Sequence, residues 1–188
     1  MGKMHREGVT LIELLVTLSV VAIIVAVGVP ALRDFLTTNQ MSAAANDIVT
    51  SLHVARSEAI KRETLTRLCP SENWNQAAPG CTNGGDLSDG WIVVADPNGD
   101  AIVVQTHEPL PGSIRLDQDF ADAIDFRADG RPGNGLIERE FNILLCDERG
   151  DRDMGGGMAA GRWINVRGTG RPRLYARLDD VQGVLGGC

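Results

Sequence analysis

Hydrophobic and polar positions divide the chain into three stretches with different periods. After a short basic head (Lys3, His5, Arg6), Gly8 to Leu32 is almost purely apolar, interrupted by one carboxylate, Glu13; no charge stands between Leu14 and Leu32. About 20 apolar residues carry a helix across a bilayer, so residues 9–36 are expected to form a membrane-spanning helix. A carboxylate near the start of such a segment is costly in lipid and marks a functional position. Beyond Arg33 the helical period continues. Met41, Ala45, Ile48, Leu52, Ala55 and Ala59 recur every three or four residues, with Asn46, Ser51, Arg56, Lys61 and Arg62 between them. That pattern predicts an amphipathic continuation over 37–63 whose apolar stripe faces a core. Pro30 is expected to kink this long helix without ending it, because lipid and neighbouring helices let the freed carbonyl be satisfied again.

From Thr64 the period becomes two. Segments 64–69, 91–95, 101–105, 113–116, 124–126, 141–146, 163–166 and 174–177 read as short strands separated by turn residues. The expected fold class is therefore α+β: a long N-terminal helix packed on a C-terminal antiparallel β-sandwich head over 64–188. Asp96-Pro97-Asn98-Gly99-Asp100 has a glycine out of place for a calcium loop and lacks the distal bidentate glutamate, so a hairpin turn is expected. The Gly-rich stretch 151–161 follows no strand–helix phosphate-binding pattern and is expected to be a loop.

Composition adds a compartment. The 188 residues fit one domain of ordinary size plus the N-terminal segment, and 22 glycines and 8 prolines suit a turn-rich head. Four cysteines, Cys69, Cys81, Cys146 and Cys188, follow a membrane-targeting segment, which reads as disulfides in an oxidising compartment. Of the three possible pairings we favour Cys69–Cys81, closing a polar Pro/Gly/Asn loop, and Cys146–Cys188, pinning the last residue to an inner strand. Zinc fits poorly, with no C-x-x-C pair and His5, His53 and His107 scattered. No metal or other cofactor is expected. No nucleophile motif is present and the acidic residues sit on turns, so an enzyme is not expected.

Three readings compete for the first thirty residues. Ala26-Val27-Gly28 suits a secretory cleavage site, but Glu13 spoils the apolar core. A plain signal anchor gives Glu13 no role. Myristoylation at Gly2 lacks the required Ser/Thr. The third reading is a resemblance: Gly8, Val9-Thr10-Leu11-Ile12-Glu13 and Pro30 resemble the class III signal of type IV pilins, with Val9 in place of the usual Phe. The resemblance implies cleavage after Gly8 by prepilin peptidase, removing 1–8 as a leader, and N-methylation of Val9. It also implies that Glu13 pairs with a neighbouring subunit's N-terminal amine during filament assembly. Lys3 and Arg6 place the head outside the cytoplasm. The expected location is the inner membrane, as a single span with a periplasmic head, and then an extracellular pilus shared with other pilins.

Net charge is −7, which argues against generic affinity for nucleic acid. Its distribution says more. Between Met154 and Leu178 no acidic residue occurs, yet Arg162, Arg167, Arg171, Arg173 and Arg177 do. Gly170-Arg171-Pro172-Arg173 is expected to hold two guanidinium groups off a turn, and arginine's planar fork suits phosphate. This motif, with Leu68-Cys69-Pro70-Ser71, Gly90-Trp91, Phe126-Arg127-Ala128-Asp129-Gly130 and Leu145-Cys146-Asp147-Glu148-Arg149-Gly150, resembles the GspH/FimT group of minor pilins, most of all FimT. That resemblance implies DNA uptake in natural transformation, with Arg171 and Arg173 as DNA contacts and Arg162, Arg167 and Arg177 as supporting positive field. The alternative is a structural or priming minor pilin (FimU-like), or a type II secretion pseudopilin (GspH-like), without DNA binding.

Overall fold

A computed structural model describes residues 10–96, 98–133 and 140–188. The chain divides into two compact units, Met1–Asn39 and Gln40–Cys188. Helix α1, Leu11–Arg62, contributes to both and runs through Pro30 without ending. Its last turn carries Lys61 and Arg62, which complement the carbonyl end of a helix and bind Glu58 at 3.0 and 2.6 Å. Hydrogen bonds from Arg62 and then Lys61 hold the Glu58 carboxyl below its usual range. The helix stops where Glu63 turns left-handed (φ 53°) and the Thr64 N–H bonds the Ala59 carbonyl.

In the first unit the large aliphatic side chains from Leu11 to Leu36 are exposed, by 41% to 78%. Among the described residues α1 is the one helix long and apolar enough to cross a membrane.

In the second unit all six residues of the expected stripe are buried, together with Ala44 and Ser51. Ser51 departs from the expectation that it lies on the polar face. Its hydroxyl accepts the Trp91 indole N–H at 2.9 Å and donates to the Asp47 carbonyl, so the buried polar atom is satisfied. The stripe packs against two four-stranded sheets whose neighbouring strands are all antiparallel. In sheet A, β1 (Thr66–Pro70) lies between β2 (Trp91–Ala95) and β5 (Ile124–Phe126), with β3 (Ile102–His107) outside β2. In sheet B the order is β4 (Arg115–Gln118), β6 (Phe141–Cys146), β7 (Met158–Arg167) and β8 (Arg171–Arg177). One core joins the stripe to Leu68, Trp91 and Phe126 of sheet A and to Ile143, Leu145 and Ile164 of sheet B.

The eight expected strands are present, β2, β5 and β6 with the expected bounds and the other five with shifted ends. Residues 96–100 connect antiparallel β2 and β3 as expected, with Pro97 outside the described residues. The Gly-rich loop is shorter than expected: β7 begins at Met158, inside it, and Asp153 bridges Ala159. A short helix α2, Leu178–Gln182, had no signal strong enough to predict it. It covers part of the outer face of sheet B, where Val181 is buried with Leu144, Cys146 and Ala159.

Both disulfides form with the favoured pairing, Cys69–Cys81 and Cys146–Cys188, leaving no free thiolate for zinc. They close loops of separation 12 and 42. Longer loops lose more entropy in the unfolded chain when closed. Replacing Cys146 and Cys188 by serine is therefore expected to cost about 2–4 kcal/mol, somewhat more than the same change at Cys69 and Cys81. Urea unfolding of the two variants checks the order.

Candidate functional site

At the N-terminal site, Gly8 and Val9 lie outside the described residues. Glu13 occupies the first turn of α1. Its backbone N–H donates to Thr10 Oγ1 at 3.3 Å, so Thr10 caps the helix. Thr10-x-x-Glu13 has the spacing of a capping box, and a carboxylate in the first turn is favoured by the helix dipole. That spacing is a purely local signal for a capping role, and it is visible in the sequence.

At the other end of the chain, alternation sorts the arginines. Along β7 and β8, cross-strand partners share a face: Arg167 opposite Arg171, Asn165 opposite Arg173, Trp163 opposite Tyr175. Ile164 and Val166 face the core, so Arg171, Arg173, Tyr175 and Arg177 line the outer face of sheet B. Arg171, Arg173 and Arg177 are exposed and, among the described residues, join no ion pair. The expected Arg-Pro-Arg placement is thus refined: both guanidinium groups project from an edge strand, with Pro172 between them on the edge where proline is tolerated.

Two expected members of this set are corrected. Arg162 faces inward and is 9% exposed. Its Nη1 donates to the carbonyls of Ala159 (2.8 Å), Ala160 (3.3 Å) and Gly161 (2.8 Å), and its Nη2 to Ser42 Oγ on α1 (3.5 Å). It sits where the register of β7 against β8 slips between Met158 and Trp163. Burial, then the nearby Arg149, push its pKa down. It fastens β7 internally and contributes little outward field. Arg167 is exposed but paired, its Nε donating to Glu140 Oε1 at 2.9 Å. Glu140 also accepts from the buried Asn165, which in turn donates to Asn142. The partner lies 27 residues away, so the absence of nearby acids in sequence missed it.

Gly170 is required by geometry. It has φ +70°, closes the β7–β8 turn by donating to the Arg167 carbonyl at 2.7 Å, and is buried. A Cβ there would lie 2.0 Å from the Gly130 carbonyl oxygen. Arg56 of α1 donates to that same oxygen at 3.0 Å. The turn after β5, the β7–β8 turn and α1 therefore meet at one point, which fixes where β8 begins.

Residues 44–170, more than half of the chain, match the family described as Type II transport protein GspH. The chain belongs to this family. Residues 3–29 match the prokaryotic N-terminal methylation motif. Two crystal structures of the type IV minor pilin FimU of Pseudomonas aeruginosa strain PAO1 share the fold at 18% identity. In space group P21 the TM-score is 0.53 over 75% of this chain and 92% of that one. In space group P65 it is 0.50 over 71% and 91%. No curated protein matches the chain. The expected long helix followed by antiparallel sheets is thus a pilin-like fold, and the expected GspH-type membership holds. Neither comparison separates a FimT-like from a FimU-like member.

In this GspH-family head, Gly170→Ala is expected to lower stability by at least ~2 kcal/mol, because strain at positive φ adds to the contact with Gly130. Urea unfolding measures the loss. A second expectation concerns pH. The hydrogen bond from Arg167, then that from Asn165, holds the Glu140 carboxyl below the usual glutamate range. A depressed carboxylate stabilises the fold above its unfolded pKa, and that contribution disappears as pH falls through the folded value. Arg167→Ala is expected to move the Glu140 midpoint upward in a carboxyl-detected NMR titration; an unmoved midpoint contradicts the pairing.

Proposed function

We propose that this pilin-like chain is a minor type IV pilin that binds extracellular DNA without sequence preference, for uptake in natural transformation. The observation that carries the reading is the edge strand β8, which presents Arg171, Arg173 and Arg177 on one exposed face with no acidic partner among the described residues. Arg171 and Arg173 are the DNA contacts, Arg177 extends the field, and Gly170 sets their position. Arg162 and Arg167 act indirectly, by holding β7.

The methylation motif supports processing by prepilin peptidase after Gly8, with methylation at Val9, and the exposed apolar helix supports residence in the inner membrane before assembly. The head is then periplasmic, and later part of an extracellular pilus built with other pilins. Glu13 pairs with the N-terminal amine of a neighbouring subunit. Few phosphate contacts per head give weak, salt-sensitive binding, which multiple pilus-borne copies strengthen if they reach one duplex.

A second reading has specific support. The likeness to FimU and the match to a type II transport family favour a structural or priming minor pilin, or a secretion pseudopilin, that leaves DNA alone. One experiment separates them. The head, Gln40–Cys188, contains the core and both disulfides and suits binding assays across a salt series. On duplex DNA, log K should fall with log salt, and Arg171→Ala with Arg173→Ala should reduce that slope by about 2, near 0.9 for each lost phosphate contact. No binding by the intact head, or an unchanged slope in the variant, selects the structural reading.

A further inference from the structure

The exposed arginines on sheet B have an aromatic neighbour. Tyr175, the one tyrosine in the chain, follows Arg173 by two residues and precedes Arg177 by two, so all three face the same way. Its ring stacks on that of Trp163, with centroids 4.3 Å apart and planes inclined by 23°. Trp163 is held in place by its surroundings. Its indole N–H donates to Asn142 Oδ1 at 3.0 Å, and it packs with Leu178, Val184 and Cys188 against a buried cluster around Val181. The Cys146–Cys188 disulfide anchors that cluster to β6. On the other side β8 is the outermost strand of its sheet, and Tyr175 is partly exposed.

Same-face residues of a strand repeat every ~7 Å, so a nucleic-acid strand running along β8 would meet a cation, an aromatic ring and a cation in turn. Duplex DNA offers such a surface only phosphates, because its bases stay stacked inside. A single strand offers phosphates and free base faces, and stacking on an aromatic ring tolerates any base. A purely structural role explains Trp163, which packs against the buried cluster around Val181. It explains less well a partly exposed aromatic ring flanked on its own strand by two guanidinium groups that have no acidic partner among the described residues.

We propose that the Trp163–Tyr175 stack is a base-stacking platform, and that the arginine face takes single-stranded nucleic acid, with phosphates on Arg171, Arg173 and Arg177 and a base on Tyr175. The proposal rests on the DNA-binding reading above and specifies its substrate class.

The test uses the full chain in detergent micelles and fluorescence anisotropy with a short labelled oligothymidylate and a mixed-sequence duplex of equal length. Tyr175→Leu keeps apolar cover over Trp163 but removes the ring. It is expected to weaken oligothymidylate binding about five- to tenfold while leaving duplex binding nearly unchanged. Tyr175→Phe should bind both like the parent chain, Tyr175→Trp should tighten single-strand binding, and Arg171→Ala with Arg173→Ala should weaken both. Equal weakening of the two nucleic acids in Tyr175→Leu, or unchanged single-strand binding there, overturns the platform while leaving DNA binding intact. Failure of the parent chain to bind either nucleic acid overturns the DNA-binding reading and the platform with it.

Discussion

The head depends on one stripe of α1 serving two sheets. Met41, Ala45, Ile48, Leu52, Ala55 and Ala59, with Ala44 and Ser51, are all buried in it. Four of these eight positions are alanine, and the stripe shares one core with side chains of both sheets. Neither small sheet buries enough apolar surface to stand alone. The one polar member, Ser51, is admitted only because Trp91 donates to it. A bulkier stripe would have to push one sheet away and open a cavity in the shared core, and cores tolerate neither overpacking nor voids well.

That constraint reaches the candidate site through a few contacts. The Arg56 side chain of α1 ends on the Gly130 carbonyl, against which Gly170 is packed. Arg162 ends about four turns earlier on α1, at Ser42. Between these two attachments β7 is fixed at both ends, and β8 is laid along it as the outer strand. An outer strand invites pairing with another chain, and Pro172 together with flanking arginines discourages it. Edge protection alone would account for charge on β8. It does not require that the charges share one face with an aromatic stack while Glu140, the acid on that side of β7, is taken by Arg167.

How much of this was legible depends on sequence distance. The stripe and the strands are local periodicities, and they were read directly. The disulfides were legible because a terminal cysteine and a short polar loop restrict the sensible pairings. The set of arginines was legible only as a list. Whether each one faces water depends on strand alternation, which sets Arg162 on the core face with Ile164 and Val166, opposite Leu145. Charge counting took no account of that alternation, so Arg162 was assigned outward when it lies inward. Arg167 was assigned as free because its partner stands across β6 and β7 rather than beside it in sequence. Helix α2 is too short to carry a period, and Ser51 looked polar because its donor is on a distant strand.

The N-terminal unit poses the opposite problem. Its aliphatic side chains have nothing to cover them within the unit, and a contiguous apolar surface of that extent needs lipid or other chains. Lipid and a bundle of identical helices are equally apolar solvents for Leu14 to Leu32. Apolar burial therefore cannot decide between them, and the segment can exchange one environment for the other at little cost. In the proposed assembly Glu13 is the residue that would distinguish the two. Thr10 and the helix dipole stabilise the start of α1 in either setting, whereas the proposed pairing needs a cation that a neighbouring chain would bring. A detachable anchor thus requires an indifferent apolar surface and one charge that is not indifferent, and Leu11–Leu36 around Glu13 has that composition.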